Sequence, residues 1–146
     1  MKKLFLLATM LMAIAFAIPV SAAYSGQLND KITWTLTDAG VLVLTGSGNM
    51  PDYSAKTPAP YAQYKNSIKN VIVGNGITSL GNMAFSEFSG LGSATLPSTI
   101  TRVGDKAFYN CTNVWNLELP QAVKSIGESA FEDCISLRNI QIPDSV

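Results

Sequence analysis

Histidine is missing from all 146 residues. Its absence removes the usual general base, the Ser-His and Cys-His nucleophile pairs, and the commonest transition-metal ligand. Charge is also sparse and balanced, with ten basic and ten acidic residues making up 14% of the chain. No basic run follows Lys3, so nucleic acid is not an expected partner. Cysteine occurs only as Cys111 and Cys134, a lone pair that makes no metal site. A glycosidase needs two carboxylates across a sugar, whereas the adjacent Glu132 and Asp133 point apart. Gly46-Ser-Gly48 lacks the following helix that a phosphate cradle needs. No enzyme activity, cofactor or metal is expected. Long apolar runs are absent apart from the first one, at 4–18.

That run begins after Met1-Lys2-Lys3 and ends before Pro19-Val20-Ser21-Ala22. A short basic start, a brief apolar stretch and small residues at Val20 and Ala22 make residues 1–22 a secretory signal peptide. A cut after Ala23 is a close variant, and an uncleaved anchor is the competing reading. The leader is bacterial in style, so the expected location is secreted or extracellular. The remaining chain, about 124 residues with a charge of about −2, is the size of one domain with no further membrane span.

Beyond residue 67 the chain repeats. Units at 68–90, 91–113 and 114–136 align with a period of 23 residues, and a fourth runs over 137–146. Gly81, Gly104 and Gly127 share a column, as do Ala84-Phe85, Ala107-Phe108 and Ala130-Phe131. Phe88, Cys111 and Cys134 share another, and Leu96-Pro97, Leu119-Pro120 and Ile142-Pro143 a third. Each unit opens with alternation such as Leu117-x-Leu119 or Ile140-x-Ile142, which is strand periodicity closed by proline. The column glycine is expected to turn the chain into a short helical turn, such as 105–111, that presents Ala107, Phe108 and Cys111. No unit buries its apolar face alone, so the expected fold is a β-rich repeat solenoid with short helical turns.

The run from Leu119-Pro120 through Lys124-Ser-Ile-Gly-Glu-Ser-Ala-Phe-Glu-Asp-Cys134 resembles the BspA-type, or Treponema pallidum-type, bacterial leucine-rich repeat. The likeness covers 68–146, and 32–64 is similar to the lead-in often found before such repeats. The resemblance implies a cell-surface or secreted protein used in adhesion or host-protein binding. It departs in repeat number, since family members usually carry many more.

Residues 23–67 lack the period and are read as an N-terminal β-rich cap. Two strands, 32–36 and 41–45, flank Asp38-Ala39-Gly40 as a hairpin, and 61–67 is a short helix. Sugar binding through Trp34, Tyr53, Tyr61 and Tyr64 is the competing use of this segment, although a small cap core also needs aromatics. Asn82, Asp105 and Glu128 follow the column glycine, where they cap the short helices or, alternatively, form a carboxylate metal ladder. Cys111 and Cys134, one period apart, can reach each other for a disulfide, while Phe88 in their column favours buried thiols.

Residues between the inward ones line an exposed sheet. They include Asn116, Glu118, Asn139 and Gln141, with Trp115 and Arg138 in the adjoining column beside Lys69 and Gly92. Trp115, Asn116, Glu118, Arg138, Asn139 and Gln141 are therefore the candidate ligand-binding residues. Trp115 is either an interface anchor or a cover for a neighbouring unit. Expected partners are extracellular or host surface proteins. A competing reading is self-association through an open C-terminal edge, as a structural module or part of a longer repeat protein.

Overall fold

A computed structural model describes residues 21–146, so the signal-peptide assignment falls outside the described residues but for Ser21 and Ala22. The first strands are β1 (Ala22–Gln27), β2 (Ile32–Thr37) and β3 (Val41–Gly46), paired antiparallel in that order. Alternation in β2 buries Ile32, Trp34 and Leu36 against the core. The hairpin turns at Gly40, whose φ of +80° and N–H bond to the Thr37 carbonyl (3.0 Å) suit glycine. Strand β1 was not anticipated from the sequence. The expected helix at 61–67 is instead one turn of 3-10 helix at Pro60–Tyr64.

The remaining strands are short: β4 (Gly48–Asn49), β5 (Asn70–Val73), β6 (Ile77–Leu80), β7 (Ser93–Thr95), β8 (Arg102–Val103), β9 (Asn116–Leu117) and β10 (Ser125–Ile126). They complete a six-stranded sheet, β1-β2-β3-β5-β7-β9, and a four-stranded one, β10-β8-β6-β4. From β3 onward pairing is parallel, with Asn70 opposite Ser93 and Ser93 opposite Asn116. In the smaller sheet Ser79 pairs with Arg102 and Arg102 with Ser125.

The expected short helical turns do not form. Within 81–88, Ala84, Ser86 and Phe88 donate their N–H to the carbonyls of Gly81, Met83 and Phe85 at 3.2, 3.4 and 3.3 Å, which is three overlapping β-turns. The intervening N–H groups of Met83, Phe85 and Glu87 point the other way. They donate to the carbonyls of Asp105, Ala107 and Tyr109 in the next unit at 2.8, 2.8 and 2.7 Å. Lys106, Phe108 and Asn110 do the same toward Glu128, Ala130 and Glu132. An α-helix would spend these donors inside its own turn. Left-handed φ values at Met83, Glu87, Lys106, Asn110, Ser129 and Asp133, between 53° and 64°, aim them across units instead.

The column glycine has a different role from the turning one expected. Gly81, Gly104 and Gly127 are not among the residues with positive φ. What they provide is space: a Cβ on Gly104 would lie 2.6 Å from the Asn82 nitrogen, and one on Gly127 2.6 Å from the Gly104 carbonyl carbon. Both sheets and the turn row face one continuous core. A file of rings runs through it, with Tyr61–Phe85, Phe85–Phe108 and Phe108–Phe131 centroids 5.9, 5.2 and 5.7 Å apart.

The fourth unit departs from its expected strand, since 137–142 forms none. Leu137 and Ile140 still pack on the core. At the corresponding corners upstream, Gly92 and Trp115 donate N–H groups to Lys69 and Gly92 carbonyls at 2.8 and 3.0 Å. Among the described residues Arg138 makes no such bond to Trp115. A side chain holds this unit instead, with Ser145 Oγ donating to Gln121 O at 2.8 Å, and just before it Ser136 Oγ donates to Thr112 O at 2.6 Å.

Candidate binding face

The outward side of the six-stranded sheet is built by the period-two alternation of its strands. With Val71, Val73, Ala94 and Leu117 buried inward, Asn70, Ile72, Ser93, Thr95 and Asn116 face out. Register lines them into rows across units, and within one row Ser93 Oγ donates to Asn70 Oδ1 at 2.6 Å. Asn116 and Glu118 edge a shallow hollow of about 250 Å³ together with Ala94, Thr95 and Leu96.

Trp115 stands at the corner where the turn row enters β9. Its backbone is fixed by the bond to Gly92, yet 69% of the residue is exposed. The indole reaches back over the preceding unit, where a Cβ on Gly92 would lie 3.5 Å from Nε1. The side chain covers a neighbouring unit and remains the most exposed aromatic among the described residues. Trp115, Asn116 and Glu118 share one stretch of backbone at β9. Arg138, Asn139 and Gln141 are exposed as expected, but on the segment without strand pairing.

The aromatic residues of the lead-in are less exposed than Trp115. Trp34 and Tyr61 are buried, with ring centroids 5.9 Å apart, and Tyr24 stacks on Tyr64 at 4.2 Å. Tyr61 Oη donates to the Ala84 carbonyl at 3.0 Å, and burial pushes its phenol well above the usual range. Trp34 and Tyr61 belong to the cap's core, while Tyr53 and Tyr64 are partly buried against it.

The polar column also resolves differently from a set of helix caps. Asp52 Oδ1 accepts the Asn82 N–H at 2.8 Å, Asn82 Oδ1 accepts that of Asp105 at 2.9 Å, and Asp105 Oδ1 accepts that of Glu128 at 2.9 Å. Each side chain therefore caps the following unit, not its own. Arg102 braces the start of the ladder, reaching Asn82 Oδ1 at 2.8 Å and Asp52 at 3.3 Å. Among the described residues no three metal-ligating side chains converge.

Cys111 and Cys134 are free, buried thiols. Each donates to a carbonyl of the preceding unit at 3.0 Å, Cys111 to Phe85 and Cys134 to Phe108. Burial pushes the Cys111 thiol up to about 12 and raises that of Cys134 as well. Thiols held protonated are poor nucleophiles, so this pair offers packing, not redox chemistry.

Comparison with known proteins adds to this geometry. Residues 57–146 match the family described as the BspA type leucine rich repeat region (6 copies). The chain is 31% identical to a leucine-rich repeat protein from Eubacterium ventriosum, with a TM-score of 0.71 over 86% of this chain and 39% of that one. A leucine-rich cell surface protein from Faecalibacterium prausnitzii is 14% identical, with a TM-score of 0.46 over 82% of this chain and 55% of that one. The leucine-rich repeat protein of T. pallidum is 21% identical, with a TM-score of 0.45 over 81% of this chain and 72% of that one. No curated protein matches. A match over more than half its length, and to a solved structure over most of it, means that the chain belongs to the BspA type leucine-rich-repeat family.

Proposed function

We propose that this chain is a secreted or cell-surface leucine-rich-repeat solenoid of 23-residue period, capped by residues 23–67, that binds other proteins in an adhesin-like way. The signal peptide read at 1–22 and the surface location typical of the family support export. The parallel pairing of residues one period apart supports the solenoid. The observation that carries the binding role is Trp115, held by its backbone at a corner while its indole stays 69% exposed. A large exposed aromatic on a rigid element is the usual anchor of a protein interface. Asn116 and Glu118 are its polar neighbours, and Arg138, Asn139 and Gln141 extend the face into the next unit. The partner class is extracellular or host surface protein.

The test is binding of the chain without residues 1–22 to a panel of purified extracellular-matrix and cell-surface proteins. Trp115→Ala is expected to weaken the leading interaction by roughly tenfold or more. Absence of binding across the panel, or an interaction indifferent to Trp115, overturns the reading.

A further inference from the structure

The four repeat units share a four-residue turn, closed by a bond from its last N–H to its first carbonyl. Ile77, Ile100, Val123 and Val146 donate in this way to Gly74, Pro97, Pro120 and Pro143 at 3.3, 3.3, 3.1 and 3.1 Å. The central pair is Ser-Thr, Gln-Ala and Asp-Ser in the later turns, but Asn75-Gly76 in the first, which joins β5 to β6. The lead-in imposes that glycine. Gly76 has φ of +105°, a Cβ on it would lie 2.8 Å from the Gly46 carbonyl oxygen, and its own carbonyl accepts the Gly48 N–H at 2.9 Å. Asn75 is exposed, and no other asparagine of the chain precedes glycine. A backbone nitrogen with no side chain beside it is the one an asparagine side chain cyclises onto most readily. The second unit holds this nitrogen. The Gly76 N–H donates to Thr99 Oγ1 at 3.2 Å, and the same hydroxyl donates to the Ile77 carbonyl at 2.7 Å.

We propose that Asn75-Gly76 is a deamidation site whose rate is set by Thr99, so that it converts when the second unit leaves the first. In the reaction the Gly76 nitrogen gives up its proton and bonds to Asn75 Cγ. The bond from Cγ to the side-chain nitrogen breaks, and ammonia leaves with the proton. Water then opens the succinimide, at one carbonyl to aspartate and at the other to isoaspartate. No oxidant or cofactor takes part. While Thr99 accepts the N–H, the nitrogen keeps its proton and its peptide is held from turning toward Cγ. Local opening of the second unit removes both restraints. Isoaspartate adds one atom to the main chain inside the turn and brings a negative charge. The bond from Ile77 to Gly74 is then not remade, and the conversion is one-way.

The test is incubation of the purified protein at mildly alkaline pH, folded and in guanidinium chloride, followed by peptide mapping with mass spectrometry. Isoaspartyl methyltransferase labelling identifies the product. In denaturant Asn75 is expected to react before every other asparagine, and in the folded chain far more slowly. Thr99→Val keeps the shape and removes the acceptor. It is expected to raise the folded-state rate by about fivefold, the worth of one hydrogen bond, and to leave the rate in denaturant unchanged. Thr99→Ser retains the hydroxyl and is expected to react as the unaltered chain does. Rates are compared below the unfolding transition of each variant. Equal rates in folded and denatured chains, an unchanged rate in Thr99→Val, or another asparagine reacting first in denaturant overturns the proposal. Should Thr99→Val not fold, amide hydrogen exchange in the unaltered chain decides: a protected Gly76 N–H supports the clamp, and exchange at the unprotected rate overturns it.

Discussion

Ser129 holds φ at 54°, a left-handed conformation that costs a non-glycine residue about 1–2 kcal/mol, and no side-chain bond among the described residues offsets it. Ser129→Gly is expected to stabilise the chain by about 0.5–1 kcal/mol, the relief of strain exceeding the added backbone freedom. Ser129→Val, β-branched at the same angle, is expected to lose stability, and urea unfolding midpoints compare the two. The cysteines give a residue-scale test of a different kind. Burial lifts the Cys111 thiol from 9.0 to about 12, so between these values the folded chain keeps a proton that the unfolded chain releases. Folding stability present below about pH 9 is therefore expected to drain away as pH rises toward 12, and more slowly in Cys111→Ala after allowance for its lost packing. At pH 8 a thiol reagent is expected to modify neither cysteine in the native protein and both after denaturation. Modification of none after denaturation would show a disulfide in place of the hydrogen-bonded thiols.

Among elements, the turn row sets the limit of what could be read from the residues. Alternation in 32–36 and 41–45 announced the hairpin, and the aligned columns announced which residues stack in parallel. The row 105–111 was misread because Ala107, Phe108 and Cys111 carry the same apolar spacing in one helical turn as in three successive β-turns. The deciding feature is the left-handed φ at Lys106 and Asn110, and lysine gives no hint of it. Strand β1 went unread for another cause, since it starts at Ala22, inside the segment assigned to the leader. In the candidate site, Trp115 was legible from its column. The reach of its indole back over Gly92 was not, because sequence gives position without side-chain direction. The polar ladder follows the same lesson, with Asp105 serving the Glu128 N–H of the unit after it. Asp105→Ala removes that acceptor and is expected to cost about 1 kcal/mol, while Asp105→Asn retains it, as Asn82 already does one unit earlier. Equal losses in both variants, measured by thermal unfolding, would mean that charge and not the acceptor oxygen matters.

Across the whole molecule the turn row is polar, because the first and second units each donate N–H groups to the carbonyls of the unit that follows. At the lead-in end the first carbonyls of that row already have donors, the Tyr53 N–H to Asn82 at 2.9 Å and Tyr61 Oη to Ala84 at 3.0 Å. Toward residue 146 the N–H groups of Ser129, Phe131 and Asp133 meet no acceptor among the described residues. Ile135 beside them is 77% exposed, Ile142 52% and Val146 49%. Two such ends brought face to face set donor against donor, so self-association through this face gains apolar contact without a completed ladder. The lead-in end of a second copy cannot supply the acceptors either, being occupied by its own cap. The expected result for the chain without residues 1–22 is weak association that grows with concentration, read by light scattering, and that Ile135→Lys abolishes. Tight association that survives Ile135→Lys would mean that another surface joins the copies, the unpaired edge of β1 being next to test with Ser25→Pro.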